Sequence, residues 1–487
     1  MNQKDSSVHF VDDIKTIIVD GFKIAPQPSC KTFYCLSHFH SDHYTGLNER
    51  WNNGIIICST ITSALIKQEL NVTKPEIMII DPGDELIIKD KCNVKIKAMD
   101  ANHCPGALLL LFEIINKNDD NDKKSNSNNI DDNNIYLHCG DMRYSSKFKS
   151  YPALLDGNIK IAKLYLDTTY AHARHDFIPQ DEAIHRIVNL CKTFLKKEKD
   201  GIICLQAYTI GKERLITAVS EALKMPAFVD SRKFNIIKQL GPPYSKSIGG
   251  EVNSSLFTED TNSTRIFICK MGFGGEMWPY FIPDFQSPQK YINKLEENGF
   301  NFEGNGAKKA LVVIPTGWAT ATNYNAKNAI SIKDNVSIHL IPYSEHSNFE
   351  ELKEFVKFLK PRQVVPTVFK DENQRRAIHK LFHDLVDHTA AKRNFLSFFG
   401  SSFSNSKMST SSSSSSKSPK LTFHEEINDK DGQGDAKMEA IQMLQESKQS
   451  VDIKFVSNTT PSKPKKEISD FYKSALSAAN TSTIDLT

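Results

Sequence analysis

Between residues 8 and 115, short β-branched runs alternate with turn-forming polar stretches. Thr16–Asp20, Phe33–Ser37, Gly54–Cys58, Val94–Ala98 and Ala107–Phe112 are each of strand length, and a helical stretch at Ile61–Leu70 lies between two of them. Residues 116–134 form a polar, low-complexity insert, which the pattern predicts to be the disordered tip of a hairpin. Strands resume at Ile135–Cys139 and Leu164–Asp167. Residues 181–198 carry apolar side chains at 184, 187, 188, 191, 194 and 195, the spacing of an amphipathic helix. A strand at Ile202–Leu205, a turn at Thr209–Gly211 and a helix from Lys212 then predict a small parallel α/β unit. Strands at Ala310–Ile314 and Val336–Ile341, a helix at Phe349–Leu359 and a strand at Gln363–Thr367 close the folded part.

From about residue 400 the pattern is lost. The Ser-rich run 401–418 cannot bury enough apolar surface to offset its ordering entropy and reads as a flexible linker. A short helix at Lys437–Gln445 and two apolar islands follow. The overall apolar share, 39%, is lowered mainly by this tail and the polar insert, so the remaining residues suffice for a core. A net charge of +3 neither requires nor excludes a nucleic-acid partner. The nine cysteines form no CxxC pair and sit mostly in apolar strands, as reduced, buried thiols do. No apolar run reaches the roughly 18 residues of a membrane span, and the N-terminus lacks a signal-peptide core, so a soluble intracellular protein is expected.

The chemistry concentrates at strand ends. His38 and His40 follow the run Phe33–Ser37, and in extended backbone residues two apart point the same way, so both imidazoles can grip one ion. Asp42 and His43 come where the chain must turn and can face a second position. His103 ends another strand, and Asp141 ends the next with a carboxylate able to bridge two metals. Histidines with carboxylate and no cysteine suit a catalytic zinc centre, in one or two ions, rather than a structural one. Scattered surface histidines would explain one HxH pair; they do not explain the ordered set.

These residues resemble the metallo-β-lactamase fold and, within it, the β-CASP nucleases of the DNA cross-link repair branch. The likeness runs from Val19 to Val368 through VDGF (19–22), SHFHSDHYTGL (37–47), MDANHCPG (99–106), HCGDMRY (138–144), LDTTY (166–170), YTIGKE (208–213), PTGW (315–318) and IPYSEHS (341–347). LDTTY and PTGW favour the cross-link repair exonucleases within that branch. The resemblance implies an α/β chain with a four-layer αββα sandwich, an inserted β-CASP α/β domain and a disordered C-terminal tail. The corresponding division is 1–168 and 331–395 for the metallo-β-lactamase domain, 169–330 for the β-CASP domain and 396–487 for the tail.

By the same resemblance His38, His40, His103 and Asp141 hold a first zinc, and Asp42, His43 and Asp141 a second. Asp20 anchors the histidine loop by hydrogen bonds. His346 contacts the scissile phosphate or protonates the leaving oxygen, and Asp167 orients it. Taken alone, Asp167 could cap a turn and His346 a helix start. RNA-processing members carry a further histidine where this chain has Val368, which tilts the substrate toward DNA and weakens the second zinc. Lys212 and Tyr208, on a strand–turn–helix junction, are read as DNA-phosphate contacts, with Arg143 and Trp318 as further contacts to phosphate and base.

In the tail, Ile468, Phe471 and Tyr472 resemble a sliding-clamp docking box whose leading glutamine is replaced by Lys465. Thr483–Thr487 resembles a SUMO-interacting strand, and Lys463–Lys466 could serve nuclear import. The activity implied is a zinc-dependent 5′→3′ DNA exonuclease in interstrand cross-link repair, acting in the nucleus by attack of a metal-activated hydroxide. The alternatives are an RNA endonuclease or a structure-specific DNA endonuclease on the same centre. A small-molecule hydrolase and an idle scaffold fit less well with the inserted domain and the intact ligand set.

Overall fold

The computed structural model describes residues 9–389 apart from 12–15, 29, 90–92, 116–134, 156–158, 176, 241–252, 278–280, 303–305 and 321–328. The predicted helix at 437–445 and the docking motifs at Ile468, Phe471, Tyr472 and Thr483–Thr487 therefore lie outside the described residues.

Two sheets face each other. The first has four parallel strands, Ile17–Val19, Phe33–Cys35, Ile55–Cys58 and Ile77–Ile79, in that order. The second has six, ordered Gln363–Pro366, Lys163–Leu166, Ile135–His138, Leu108–Ile115, Asn93–Asp100 and Glu85–Lys89. Its first three strands are parallel and the rest antiparallel. Period-two alternation explains the interface. Ile17, Val19, Phe33, Cys35 and Ile57 from one sheet pack on Val94, Ile96, Ala98, Leu108, Leu110 and Phe112 of the other. The opposite faces are covered by helices. Ile61, Leu65 and Ile66 of helix Thr60–Leu70, and Leu352, Phe355, Val356, Ile378 and Phe382 of helices Phe349–Leu359 and Glu372–Phe382, join the outer core. The expected αββα sandwich is present.

A third sheet of seven strands is ordered Phe257–Thr258, Ala227–Phe228, Ile266–Cys269, Gly201–Gln206, Lys309–Pro315, Val336–Ile341 and Ile330–Lys333, parallel except at its last edge. Its central strands are apolar throughout because helices cover both faces. Ile187, Cys191, Leu215 and Val219 pack on Ile203, Leu205, Leu311 and Val313. Ile292 and Leu295 pack on Ile202, Cys204, Val312 and Ile314. This sheet continues past residue 330, to Ile341, because Val336–Ile341 pairs in parallel along the whole of Ala310–Pro315.

The amphipathic pattern at 181–198 becomes helix Gln180–Lys197. The helix expected from Lys212 begins one residue later, because Lys212 takes a left-handed conformation (φ 65°) as its N-cap. Leu108–Ile115 and Ile135–His138 pair antiparallel, as the hairpin reading requires. Eight described cysteines are free thiols, seven of them buried. Among the described residues no helix is long and apolar enough to cross a membrane.

Candidate metal centre

Asp20 organises the histidine loop. It follows the strand Ile17–Val19 with a left-handed backbone (φ 52°), which turns its carboxylate toward the end of the neighbouring strand. There Oδ1 accepts from the Ser37 backbone N–H at 2.8 Å, while Oδ2 accepts from Ser37 Oγ at 2.7 Å and from His43 Nδ1 at 2.7 Å. The reading of His38 and His40 as an extended pair needs correction. The chain turns sharply here, the His40 N–H bonding back to the His38 carbonyl at 3.1 Å, and the turn makes the two imidazoles converge. The N–H groups of His43 and Tyr44 in turn donate to the His40 carbonyl, each at 3.1 Å.

Three imidazoles then meet. His40 Nδ1 lies 2.9 Å from His38 Nε2 and 3.1 Å from His103 Nε2. Their outward nitrogens are all engaged. His40 Nε2 donates to the Ile210 carbonyl at 3.0 Å and His103 Nδ1 to the Glu345 carbonyl at 2.8 Å. His38 Nδ1 is 2.9 Å from Ser37 Oγ. A carbonyl oxygen only accepts, so His40 and His103 must carry their protons on the outward side, leaving bare lone pairs turned inward. Burial, reinforced by neighbouring imidazoles, holds the pKa of His38 and His103 well below the usual histidine value. Burial also lowers His40, against the opposing pull of Asp42. Neutral rings with converging lone pairs are what a divalent cation requires, and ligand atoms about 3 Å apart match metal–nitrogen bonds of about 2.0–2.1 Å.

Asp141 Oδ2 closes the set, 3.7 Å from His38 Nε2, 3.8 Å from His103 Nε2 and 3.2 Å from His43 Nε2. It therefore stands between the three-histidine position and a second one bounded by His43. Burial would raise the Asp141 carboxyl, but the imidazoles of His43, His346 and His38 outweigh it and hold it well below the carboxylate range. Burial likewise pulls His43 down, and Asp141, Asp42 and Asp20 together hold it well above the histidine range. The second position is the poorer of the two. Asp42 leans out at the rim, its side chain 69% exposed and 3.7 Å from His43 Nε2. Cys104, which reads in sequence as one more buried thiol, joins His38, His40 and His103 in a set of ligand atoms within 4.8 Å of one another.

Beside His103, ring centroids 4.7 Å apart, His346 Nδ1 lies 2.9 Å from Asp167 Oδ2 and 3.9 Å from Asp141 Oδ2, and His103, Asp141 and His346 form one more set of ligand atoms within 4.8 Å of one another. Asp167 also caps its own turn, accepting from Thr169 N and Oγ1 at 3.1 and 2.7 Å and from Met142 N at 3.1 Å. One side chain makes both contacts, Oδ1 with Thr169 and Oδ2 with His346. His346 is not a helix cap. Asn348 caps helix Phe349–Leu359, in a reciprocal capping box with Glu351. Burial lowers the His346 pKa, but Asp167, Asp141 and Asp42 outweigh it and raise it to about 9.

The expected phosphate contacts fare differently. Tyr208 stays half exposed, its ring centroid 6.0 Å from that of His40. Lys212 is turned inward. It is buried, and its ammonium donates to the Pro315 carbonyl at 2.9 Å. Arg143 is also buried, and its guanidinium donates to Glu351 Oε1 at 2.8 and 3.1 Å and to the Ser344 carbonyl at 3.0 Å. Both readings need the same correction: the two side chains are buried and bonded to the protein interior rather than laid out on the surface as phosphate contacts. Trp318 packs on Tyr170 and His175, ring centroids 5.0 and 5.1 Å away. Val368 exchanges backbone hydrogen bonds with the Thr168 hydroxyl, next to Asp167.

Comparison with known proteins agrees with this geometry. Residues 251–372 match the family model described as DNA repair metallo-beta-lactamase. Over 384 residues the chain is 34% identical to a protein of Arabidopsis thaliana named DNA ligase 6, covering 78% of this chain and 25% of that one. It is 30% identical over 354 residues to the DNA cross-link repair protein SNM1 of the same plant, covering 72% and 63%. With the 5' exonuclease Apollo of Danio rerio it shares 25% identity over 357 residues, covering 72% and 51%. The chain thus spans between a quarter and somewhat under two thirds of the length of these relatives.

Proposed function

Because this chain belongs to the DNA repair metallo-β-lactamase family, as its motifs lead one to expect, we propose that it is a zinc-dependent 5′→3′ DNA exonuclease of interstrand cross-link repair, working in the nucleus. The observation that carries the proposal is the convergence of the ring nitrogens of His38, His40 and His103 beside Asp141, with the His346–Asp167 pair against His103. His38, His40, His103 and Asp141 would hold the first zinc, and His43, Asp141 and Asp42 a weaker second. Zinc bound there supplies a Lewis acid that lowers the pKa of water and offsets charge on the phosphate.

The chain's own groups have separate tasks. Asp20 and the carbonyls of Ile210 and Glu345 fix the ligand rings. His346, raised by its carboxylate neighbours, is the group able to donate a proton to a leaving oxygen, and Asp167 fixes its ring through Nδ1. Tyr208, half exposed beside His40, offers a ring on which a nucleotide base can stack. Val368, where a histidine ligand is absent, favours DNA over RNA within the same proposal. Docking of a sliding clamp at Ile468, Phe471 and Tyr472 and of SUMO at Thr483–Thr487 belongs to it as well, tested by binding of the tail to each partner.

The test is digestion of 3′-labelled single strands, with DNA and RNA of matched sequence and with 5′-phosphate or 5′-hydroxyl ends. A ladder that grows from the 5′ end of DNA, and not of RNA, is expected. Preferential cleavage of the RNA, or internal cuts alone, would replace the proposal with an endonuclease.

A further inference from the structure

One loop of the seven-stranded-sheet unit reaches the metal centre, and the peptides along its tip are fixed by named groups. In the segment Tyr208–Glu213 the carbonyls of Tyr208 and Thr209 accept from Lys233 Nζ at 3.0 and 3.2 Å. The Lys212 N–H donates to Glu345 Oε1 at 2.6 Å. The peptide between Ile210 and Gly211 is held from both ends. Its carbonyl accepts from His40 Nε2 at 3.0 Å, and its N–H donates to Glu213 Oε2 at 2.8 Å. The other oxygen of Glu213 accepts from Lys233 Nζ at 3.1 Å. Both side chains are almost fully buried, Glu213 at 2% and Lys233 at 10% exposure. Gly211 has φ of +112°, a backbone angle at which any other residue type would be strained.

We infer that Glu213, held by Lys233, is a positioning residue for the metal ligand His40. Rotating the 210–211 peptide away would remove the only acceptor that the described structure gives His40 Nε2. The proton would then be free to move to Nδ1, the nitrogen that meets His38 and His103. Glu213 prevents that rotation by holding the opposite edge of the same peptide plane. Its role is exerted through one peptide on one ring, and it touches neither metal nor substrate. Lys233 contributes by orienting Glu213 and by tying down the two carbonyls that precede the peptide. The inference rests on the reading of His38, His40 and His103 as zinc ligands.

Zinc alone, titrated into the metal-free full chain in competition with a chromogenic chelator, tests it. Glu213→Ala should weaken zinc binding about tenfold, the lower end of the effect of outer-shell partners because one peptide intervenes. Glu213→Ala should add no more than about twofold to the loss already present in His40→Ala, since residues acting through one group are not additive. If Glu213→Ala does not fold, Glu213→Leu with Lys233→Met removes the buried pair together at similar volume and carries the same comparison. Glu213→Gln, which keeps an acceptor for the Gly211 N–H, should restore affinity to within about threefold of the wild type, as a retained hydrogen bond implies. Wild-type affinity in the folded variant lacking Glu213, or an equal tenfold loss in the His40→Ala background, would overturn this inference alone. Failure of the wild-type chain to bind zinc, or binding that His40→Ala leaves unchanged, would instead overturn the zinc reading beneath it.

Discussion

His346 Nδ1 and Asp167 Oδ2 are 2.9 Å apart, although 179 residues separate them in the chain. Asp167 lies at the end of strand Lys163–Leu166, and His346 lies just before helix Phe349–Leu359, so the pair forms only when the chain returns to the sandwich. If this pair delivers a proton to the leaving group, His346→Ala should lower kcat by about 10²–10⁴-fold with little change in zinc affinity. Asp167→Asn should cost less, because a ring left without its carboxylate still reaches the cleft. Single-turnover rates on a labelled DNA strand check both, and an unchanged kcat in His346→Ala would remove the residue from the mechanism.

Arg143 tests the distinction between a buried cation and a DNA contact. Its side chain is 2% exposed and bonded to Glu351, which also closes the capping box of helix Phe349–Leu359. Arg143→Met should therefore destabilise the fold by about 3 kcal/mol, the lower part of the range for breaking a buried pair, since Glu351 keeps some contact with water. The measure is chemical denaturation. The salt dependence of DNA binding should stay as in the wild type; a shallower slope would restore Arg143 as a phosphate contact.

In the proposed centre, Asp20 is placed to act on the second metal position more than on the first. It accepts from Ser37 and His43, and His43 belongs to the position shared with Asp141 and Asp42. Asp20→Asn preserves a residue tolerant of positive φ but loses the carboxylate that receives the His43 proton. Affinity at the second position should fall about 10–100-fold, as for other outer carboxylates, while the three-histidine position changes less. Metal titration followed by calorimetry resolves the two. Equal losses at both would mean that Asp20 acts only on the loop as a whole.

His175 gives the metal-free fold an acid-sensitive limb. Its Nδ1 is buried without a partner among the described residues, and burial first, then Arg174 and His172, push its pKa down to about 4. The unfolded chain, with an ordinary histidine near 6.5, then binds the proton first as pH falls. Stability from this residue is thus fully present above about pH 6.5 and is lost as pH falls toward 4. Replacing it by Gln should lessen the slope of that limb, to which buried His38, His40 and His103 also contribute, and an unaltered slope between pH 6.5 and 4 would contradict the assignment.

The sequence carried the ligand set further than its environment. His38, His40, Asp42 and His43 lie within six residues, and His103 and Asp141 each close a strand, so residue type and local pattern suffice to single them out as candidates. The groups that hold these rings are different in kind. The carbonyls of Ile210 and Glu345 are backbone, and no residue identity announces a carbonyl. The burial of Arg143 and Lys212 is not legible in sequence because their partners, Glu351 and Pro315, are 208 and 103 residues away. A cation at a turn looks the same in sequence whether it faces solvent or the interior. Likewise the strands at 330–341 are apolar enough for either sheet, and only their pairing with Lys309–Pro315 assigns them to the seven-stranded one.

The central claim is that a metal held by His38, His40, His103 and Asp141 is required for cleavage of DNA. The most direct measurement follows a 5′-phosphorylated, labelled single strand with wild-type chain, with chain stripped by a chelator and then resupplied with zinc, and with Asp141→Asn. The account predicts a 5′-end ladder from the wild type, its loss on stripping, its return with zinc, and no ladder from Asp141→Asn despite a wild-type denaturation curve. An undiminished ladder from the stripped chain or from Asp141→Asn would contradict it.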